Sequence, residues 1–101
     1  MKTKQRNIGV NRGRPRLWLE GAILTESGFN HGDRFNVTNE PDRIIIKNDP
    51  EGKRKIAGKS DRPIIDIIGK VIENSLDTSK VSRVNIKRVR DGLIHITPYK
   101  G

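Results

Sequence analysis

The chain has 101 residues, of which 21 are Lys or Arg and 12 are Asp or Glu, for a formal net charge of +9. It holds no cysteine, which excludes disulfides, thiol catalysis and Cys-ligated zinc or iron–sulfur centres. No apolar run reaches the length of a membrane span or a signal-peptide core, so the expectation is one small cytoplasmic domain with no membrane partner. A pI of about 10.4 makes nucleic acid the leading candidate partner.

The elements follow in chain order. Gln5–Val10 reads as a short extended segment. In Arg14-Pro15 the proline pushes the preceding residue out of the α region, so Arg14 is extended. Pro15–Glu20 predicts a strand, because Leu17 and Leu19 alternate with Arg16, Trp18 and Glu20. Ala22–Ser27 predicts a short helix ending at Gly28, a residue suited to a left-handed cap. Arg34–Thr38 and Arg43–Lys47 predict a hairpin around Asn39-Glu40-Pro41-Asp42. Asn48-Asp49-Pro50-Glu51-Gly52 then reads as a turn or linker.

Beyond that linker the pattern returns. At an offset of 48 positions Ile8 falls on Ile56, Arg14 on Arg62, Pro15 on Pro63, Gly21 on Gly69 and Ser27 on Ser75. The second pass predicts an extended segment at Arg54–Gly58 and a strand at Pro63–Ile68. In that strand Ile65 and Ile67 take the inward slots, but Ile64, Asp66 and Ile68 occupy the outward ones, a less clean alternation. A helix at Lys70–Leu76 follows, with no Gly to stop it. Ser82–Arg88 and Leu93–Thr97 form a hairpin whose Asp91-Gly92 tolerates positive φ. Two inserted residues bring Ile44 onto Ile94 and Ile46 onto Ile96 at an offset of 50. Residues 1–101 thus form a single domain of two repeats, 5–48 and 54–100. A repeat of roughly forty residues is too small for a stable core of its own, so the two are expected to share one and to cover each other's strand edges.

From Arg16-Leu17-Trp18-Leu19 through Gly28-Phe29 to Asp33-Arg34-Phe35-Asn36-Val37, the order resembles the SpoVT/AbrB superfamily. Its members are swapped-hairpin DNA-binding modules of transition-state regulators and MazE-type antitoxins. Arg16 matches the family Arg, Leu17 to Leu19 the alternating strand, Gly28-Phe29 the helix end, and Asp33 the charged residue before the third strand. Glu20-Gly21 stands where the family usually carries Pro, and Leu19 to Phe29 is nearer to SymE-like members, grouped with toxins acting on RNA or nucleoids. There is also similarity to a module beside cytosine methyltransferases in phage and prophage genomes. The segment Ile8 to Lys47 carries the resemblance; Ile56 to Tyr99 carries it mainly through the repeat. The resemblance implies a mainly β fold with two short helices, a tandem swapped-hairpin, AbrB-like barrel with a pseudo-two-fold axis inside one chain. Such a chain is a monomeric pseudo-dimer or a homodimer.

Lys2, Lys4, Arg6, Arg12, Arg14 and Arg16 crowd the start of the first repeat. Lys53, Arg54, Lys55, Lys59 and Arg62 crowd the equivalent stretch of the second. Equivalent places in a pseudo-two-fold module are expected to meet on one face, which in the resembled family is laid on DNA. Lysines suit phosphates as point charges. Arg14, Arg16, Arg54 and Arg62 have planar forks for phosphates or guanine edges. Gly9, Gly13 and Gly58 would let the backbone approach a phosphate chain, although an ordinary turn role explains them equally well. Any one of these lysines taken singly also fits a solvated charge. Lys87, Arg88 and Arg90 read as a solvated loop around the second hairpin tip. Trp18, opposite Leu17 and Leu19, would be free to stack on a base, although a lone Trp more often packs a core or hairpin seam.

His31, in a turn, and His95, in a strand, have no acid–base partner or nucleophile nearby in the reading, and their spacing suits no metal site. Gly58-Lys59-Ser60 is too short for a nucleotide loop. No catalytic residue, cofactor or metal is expected, and the chain does not read as an enzyme. The leading expectation is a duplex-DNA-binding module, acting as a regulator or as the DNA anchor of a larger enzyme. The alternatives are a SymE-like RNA-binding or RNA-cleaving toxin, and a protein-interaction module or inhibitor of a nucleic-acid enzyme.

Overall fold

The period-two alternation of the sequence becomes ten strands in the computed structural model, which describes residues 3–99. The first repeat supplies β1 (Thr3–Asn7), β2 (Gly9–Asn11), β3 (Arg14–Glu20), α1 (Ala22–Thr25), β4 (Arg34–Glu40) and β5 (Arg43–Asn48). The second repeats the order with β6 (Arg54–Lys55), β7 (Ala57–Lys59), β8 (Arg62–Ile68), α2 (Lys70–Glu73), β9 (Arg83–Arg90) and β10 (Leu93–Pro98). Both helices are single turns, shorter than the sequence predicts. Gly28 (φ 82°) closes the first: the Phe29 N–H reaches the Leu24 carbonyl at 2.9 Å and the Gly28 N–H reaches Thr25 at 3.2 Å. That is a Schellman stop.

The strands form two antiparallel sheets, one of six in the order β1-β9-β10-β5-β4-β6 and one of four in the order β2-β3-β8-β7. Exchanging the repeats leaves both orders unchanged. The pseudo-two-fold axis therefore passes between Trp18 and Asp66, which pair across β3 and β8, and between Ile45 and His95, which pair across β5 and β10. The repeats also trade elements. β1 pairs with β9 and β6 with β4, so the first strand of each repeat lies on the other repeat's hairpin. The hairpin tips cross over too: the Asp42 N–H donates to the Ser75 carbonyl (2.9 Å) and the Gly92 N–H to Ser27 (2.8 Å).

Between the sheets lies one core drawn from both repeats. Leu17, Leu19, Ile65 and Ile67 line the inner face of the small sheet; Ile44, Ile46, Val84, Ile86, Ile94 and Ile96 line that of the large one. Ile23, Leu24, Phe29, Ile72 and Leu76 fill the flanks. The expected closed barrel is not formed. The chain turns from one sheet to the other at Ile8 and Ile56, between β1 and β2 and between β6 and β7. There each chain segment makes its last bond in register with the large sheet, the Ile8 N–H to Ser82 and the Ile56 N–H to Asp33, each at 2.8 Å, before passing to the small one. The ladders do not continue across these corners, so the sheets stay separate.

The two residues inserted in the second repeat take different places. Arg34 and Arg83 are equivalent at an offset of 49, so one addition precedes β9; the other is a bulge where the register shifts opposite Leu93 and Ile94. The glycine after each small-sheet strand has a backbone cause. Gly21 (φ 72°, ψ −130°) and Gly69 (φ 75°, ψ −126°) link each small-sheet strand to its helix. Proline, locked near φ −65°, cannot enter that region. Among the described residues no helix is long and apolar enough to cross a membrane.

Candidate nucleic-acid interface

Alternation that sends Leu17, Leu19, Ile65 and Ile67 inward sends Arg14, Arg16, Trp18, Glu20, Arg62, Ile64, Asp66 and Ile68 to the outer face of the four-stranded sheet. The arginines expected to meet DNA there are engaged. Arg16 grips Asp66 bidentately, Nε to Oδ1 and Nη2 to Oδ2, both at 2.9 Å. Those bonds hold its proton more firmly and raise its pKa, outweighing the opposing effect of burial. Arg14 meets Glu73 at 2.9 Å and Arg62 meets Glu20 at 3.6 Å. Trp18 does lie outward, 40 % exposed, with the Arg16 guanidinium 4.6 Å from its ring centre and its Nε1 donating to Glu20 at 3.1 Å. Three arginines and three carboxylates thus balance on and beside this face.

Apart from Lys2, which lies outside the described residues, the remaining cations of the two sequence clusters do not converge. Lys4 and Arg6 lie in β1; Arg54 and Lys55 lie in β6 with Lys53 just before it. β1 and β6 are the opposite edges of the six-stranded sheet, roughly 24 Å apart at the usual strand spacing. Lys4 is within 3.8 Å of Glu26, and the Arg6 guanidinium donates to the Gln5 carbonyl at 2.8 Å. Arg12 sits in the β2–β3 turn with φ 53°, and Lys59 ends β7 on the far edge of the small sheet. A two-fold axis perpendicular to a sheet separates equivalent edge residues instead of gathering them.

The concentrated positive surface lies elsewhere, on the outer face of the six-stranded sheet. Its outward slots hold Arg83 and Lys87 on β9, Arg43 and Lys47 on β5, Arg34 on β4 and Lys55 on β6, with Arg90 opposite Leu93. Glu40 is the one carboxylate in those slots, 3.6 Å from Arg43. Lys87, His95, Ile45 and Thr38 form one cross-strand row over the axis; Arg90, Leu93, Lys47 and Asn36 form the next. Among the described residues Arg34, Lys47, Lys55, Arg83, Lys87 and Arg90 make no ion pair. Arg34 donates to the Gly52 carbonyl at 3.2 Å, and Arg83 lies 4.9 Å from the Tyr99 ring centre. Lys87 is therefore not a hairpin-tip residue but central, and only Arg88, bound to Asp91, is spent locally.

Sequence reasoning passed over Arg34, Arg43, Lys47 and Arg83. The signal was present: Arg43-x-Ile45-x-Lys47 and Arg83-x-Asn85-x-Lys87 alternate with buried Ile44, Ile46, Val84 and Ile86. It marks a charged outer face once the strands are known to be neighbours. His95, at the centre of this face, has a lowered pKa: burial is the main cause, Arg43 and Lys87 reinforce it, and Glu40 opposes it. His31 is exposed in the connection between α1 and β4.

No family model matches the chain, and no curated protein or solved structure is significantly similar to it.

Proposed function

We propose that this chain binds nucleic acid, duplex DNA in the first place, through the outer face of its six-stranded sheet, as a regulator or a DNA-anchoring domain. The observation that carries this is the charge of that face: among the described residues its outward slots hold seven basic side chains and a single carboxylate, Glu40. Such a surface gains free energy by displacing the counterions condensed on a polyanion. The exchange of strands between repeats supports kinship with the swapped-hairpin DNA-binding modules, with both units carried in one chain.

The form of the face favours a duplex backbone. Asn36, Thr38, Asn85 and Thr97 add amide and hydroxyl groups suited to phosphate and sugar oxygens. A broad sheet face meets phosphates more readily than it enters a groove, so sequence-independent contacts dominate. Tyr99 is the aromatic residue near these slots and is held against Arg83, so the face offers no succession of rings on which single-stranded bases stack.

Fluorescence anisotropy with labelled duplex DNA, single-stranded DNA and RNA across a salt series tests the proposal. Duplex should bind tightest, with log K falling against log salt at a slope of about −5 if five or six phosphates are neutralised. Equal or tighter binding of RNA would move the assignment to the toxin-like reading, and no binding at low salt would overturn it.

A further inference from the structure

The outer slots of β8 hold Ile64 and Ile68 beside Asp66. The fold's own core does not use them, since β8 already delivers Ile65 and Ile67 to the interior. Ile68 is 39 % exposed, and Trp18, diagonal to it across the β3–β8 pair, is 40 % exposed. Two of the three large exposed apolar residues among those described thus share one sheet face, on either side of the Arg16–Asp66 pair. Large apolar side chains exposed together on one face mark a contact surface.

We infer that the outer face of the four-stranded sheet is where a second copy of this chain docks. Charge selects that occupant. Two chains of net charge +9 repel over most of their surfaces. On this face, however, Arg14, Arg16 and Arg62 are matched by Glu73, Asp66 and Glu20. The pattern is also self-complementary. The pseudo-two-fold axis equates Arg16 with Ile64, Trp18 with Asp66 and Glu20 with Ile68, so β3 presents a polar and aromatic strip while β8 presents a mainly aliphatic one. A two-fold axis running between stacked sheets, parallel to their strands, lays β3 of one copy over β8 of the other. Trp18 then lies over the partner copy's β8 at the level of Asp66, between the outward Ile64 and Ile68, and the same contact recurs by symmetry.

Two strands of seven residues flanked by two of three give a face of roughly 320 Å² at ordinary strand dimensions. That is well under half of the ~800 Å² one partner contributes to a standard interface, so the dimer belongs to the weak, concentration-dependent class. It leaves the basic face of each copy outward, and it stands whether or not those faces bind nucleic acid.

Sedimentation velocity of the full chain, from micromolar to near-millimolar concentration in enough salt to screen the net charge, tests this. Trp18 is the only tryptophan, so its emission reports on this face in the same samples. The expected result is a shift from monomer towards dimer with concentration, accompanied by a blue shift of Trp18 emission. Ile68→Lys should abolish both. Ile68→Thr, which keeps a β-branched residue in the strand, should weaken association at least about fivefold, a separate reading should the lysine variant unfold. A wild-type chain that stays monomeric throughout would overturn the inference, as would a dimer that forms with no change in Trp18 emission.

Discussion

Inside, the two sheets are alike; outside, they are opposites. Leu17 and Leu19 match Ile65 and Ile67, and Ile44 and Ile46 match Ile94 and Ile96, all at most 1 % exposed. Their outer slots share the same geometry but hold different chemistry. Cations without carboxylate partners dominate the large sheet, and ion pairs around Trp18 and Ile68 occupy the small one. Inward slots are constrained because each must fill the shared core. Outward slots carry no such demand, so what occupies them reflects what meets each face.

The largest effects should come from the shared interior, where the sheets ought to be interchangeable. Ile46→Ala on the large sheet and Ile65→Ala on the small one should each cost about 2–5 kcal/mol in denaturant unfolding, because each leaves a cavity in the same core. A cost below about 1 kcal/mol for either would mean that its sheet does not pack against the other, and the common interior would be lost as a reference.

The outer faces should then part company. Lys47→Glu combined with Lys87→Glu should lower duplex-DNA affinity at least about tenfold and reduce the salt slope by about two. Arg14→Gln combined with Arg62→Gln should change affinity by less than about threefold, since both guanidiniums already face carboxylates at an exposed surface. The reverse ranking would return the interface to the small sheet.

Much of this was legible in the sequence. Local rules reach the repeat, the strands, the Arg-Pro junctions and the Gly28 stop, because each depends on neighbours in the chain. Three things were not legible. Barrel closure depends on whether the ladders continue past Ile8 and Ile56, which is a matter of tertiary hydrogen bonding. The pairing of Arg16 with Asp66 joins residues 50 positions apart. The basic face exists only because β9, β10, β5 and β4 lie side by side, an order set by the β5–β10 pairing of the two hairpins across the pseudo-two-fold axis. Clusters along the chain were visible to sequence reading; clusters across a sheet were not. The Ile64-Asp66-Ile68 strip was visible as an irregular alternation, but its position beside Trp18 was not.

A smaller effect concerns pH. His95 pairs with Lys87 on one side and Ile45 on the other, with Arg43 and Glu40 also acting on it and Leu93 and Thr97 its outward neighbours along β10. Its pKa lies below the ordinary 6.5, so in the free protein it is neutral at pH 7. A polyanion laid over the face offsets the cations and raises that pKa, so binding takes up a proton. Duplex affinity should rise a few-fold as pH falls below about 6.5, beyond any change in a His95→Gln control, whose profile should be flatter. Folding stability has the opposite sign: the unfolded chain protonates first, so the His95 contribution is lost as pH falls below about 6.5. A wild-type binding profile parallel to that of His95→Gln would place the phosphates away from the centre of the large sheet.

The smallest effect probes the balanced face directly. Asp66→Asn keeps the shape of the Arg16 partner but removes its charge, releasing a cation beside Trp18 on a surface otherwise close to neutral. If phosphates contact only the large sheet, this distant and exposed charge should raise duplex affinity by no more than about threefold. The same variant should weaken self-association, because it unbalances the one face on which two basic chains approach without repulsion. A gain in DNA affinity of tenfold or more would instead show phosphates already lying against Arg16, with Asp66 their competitor. The two outer faces would then form one binding surface rather than two surfaces with separate partners.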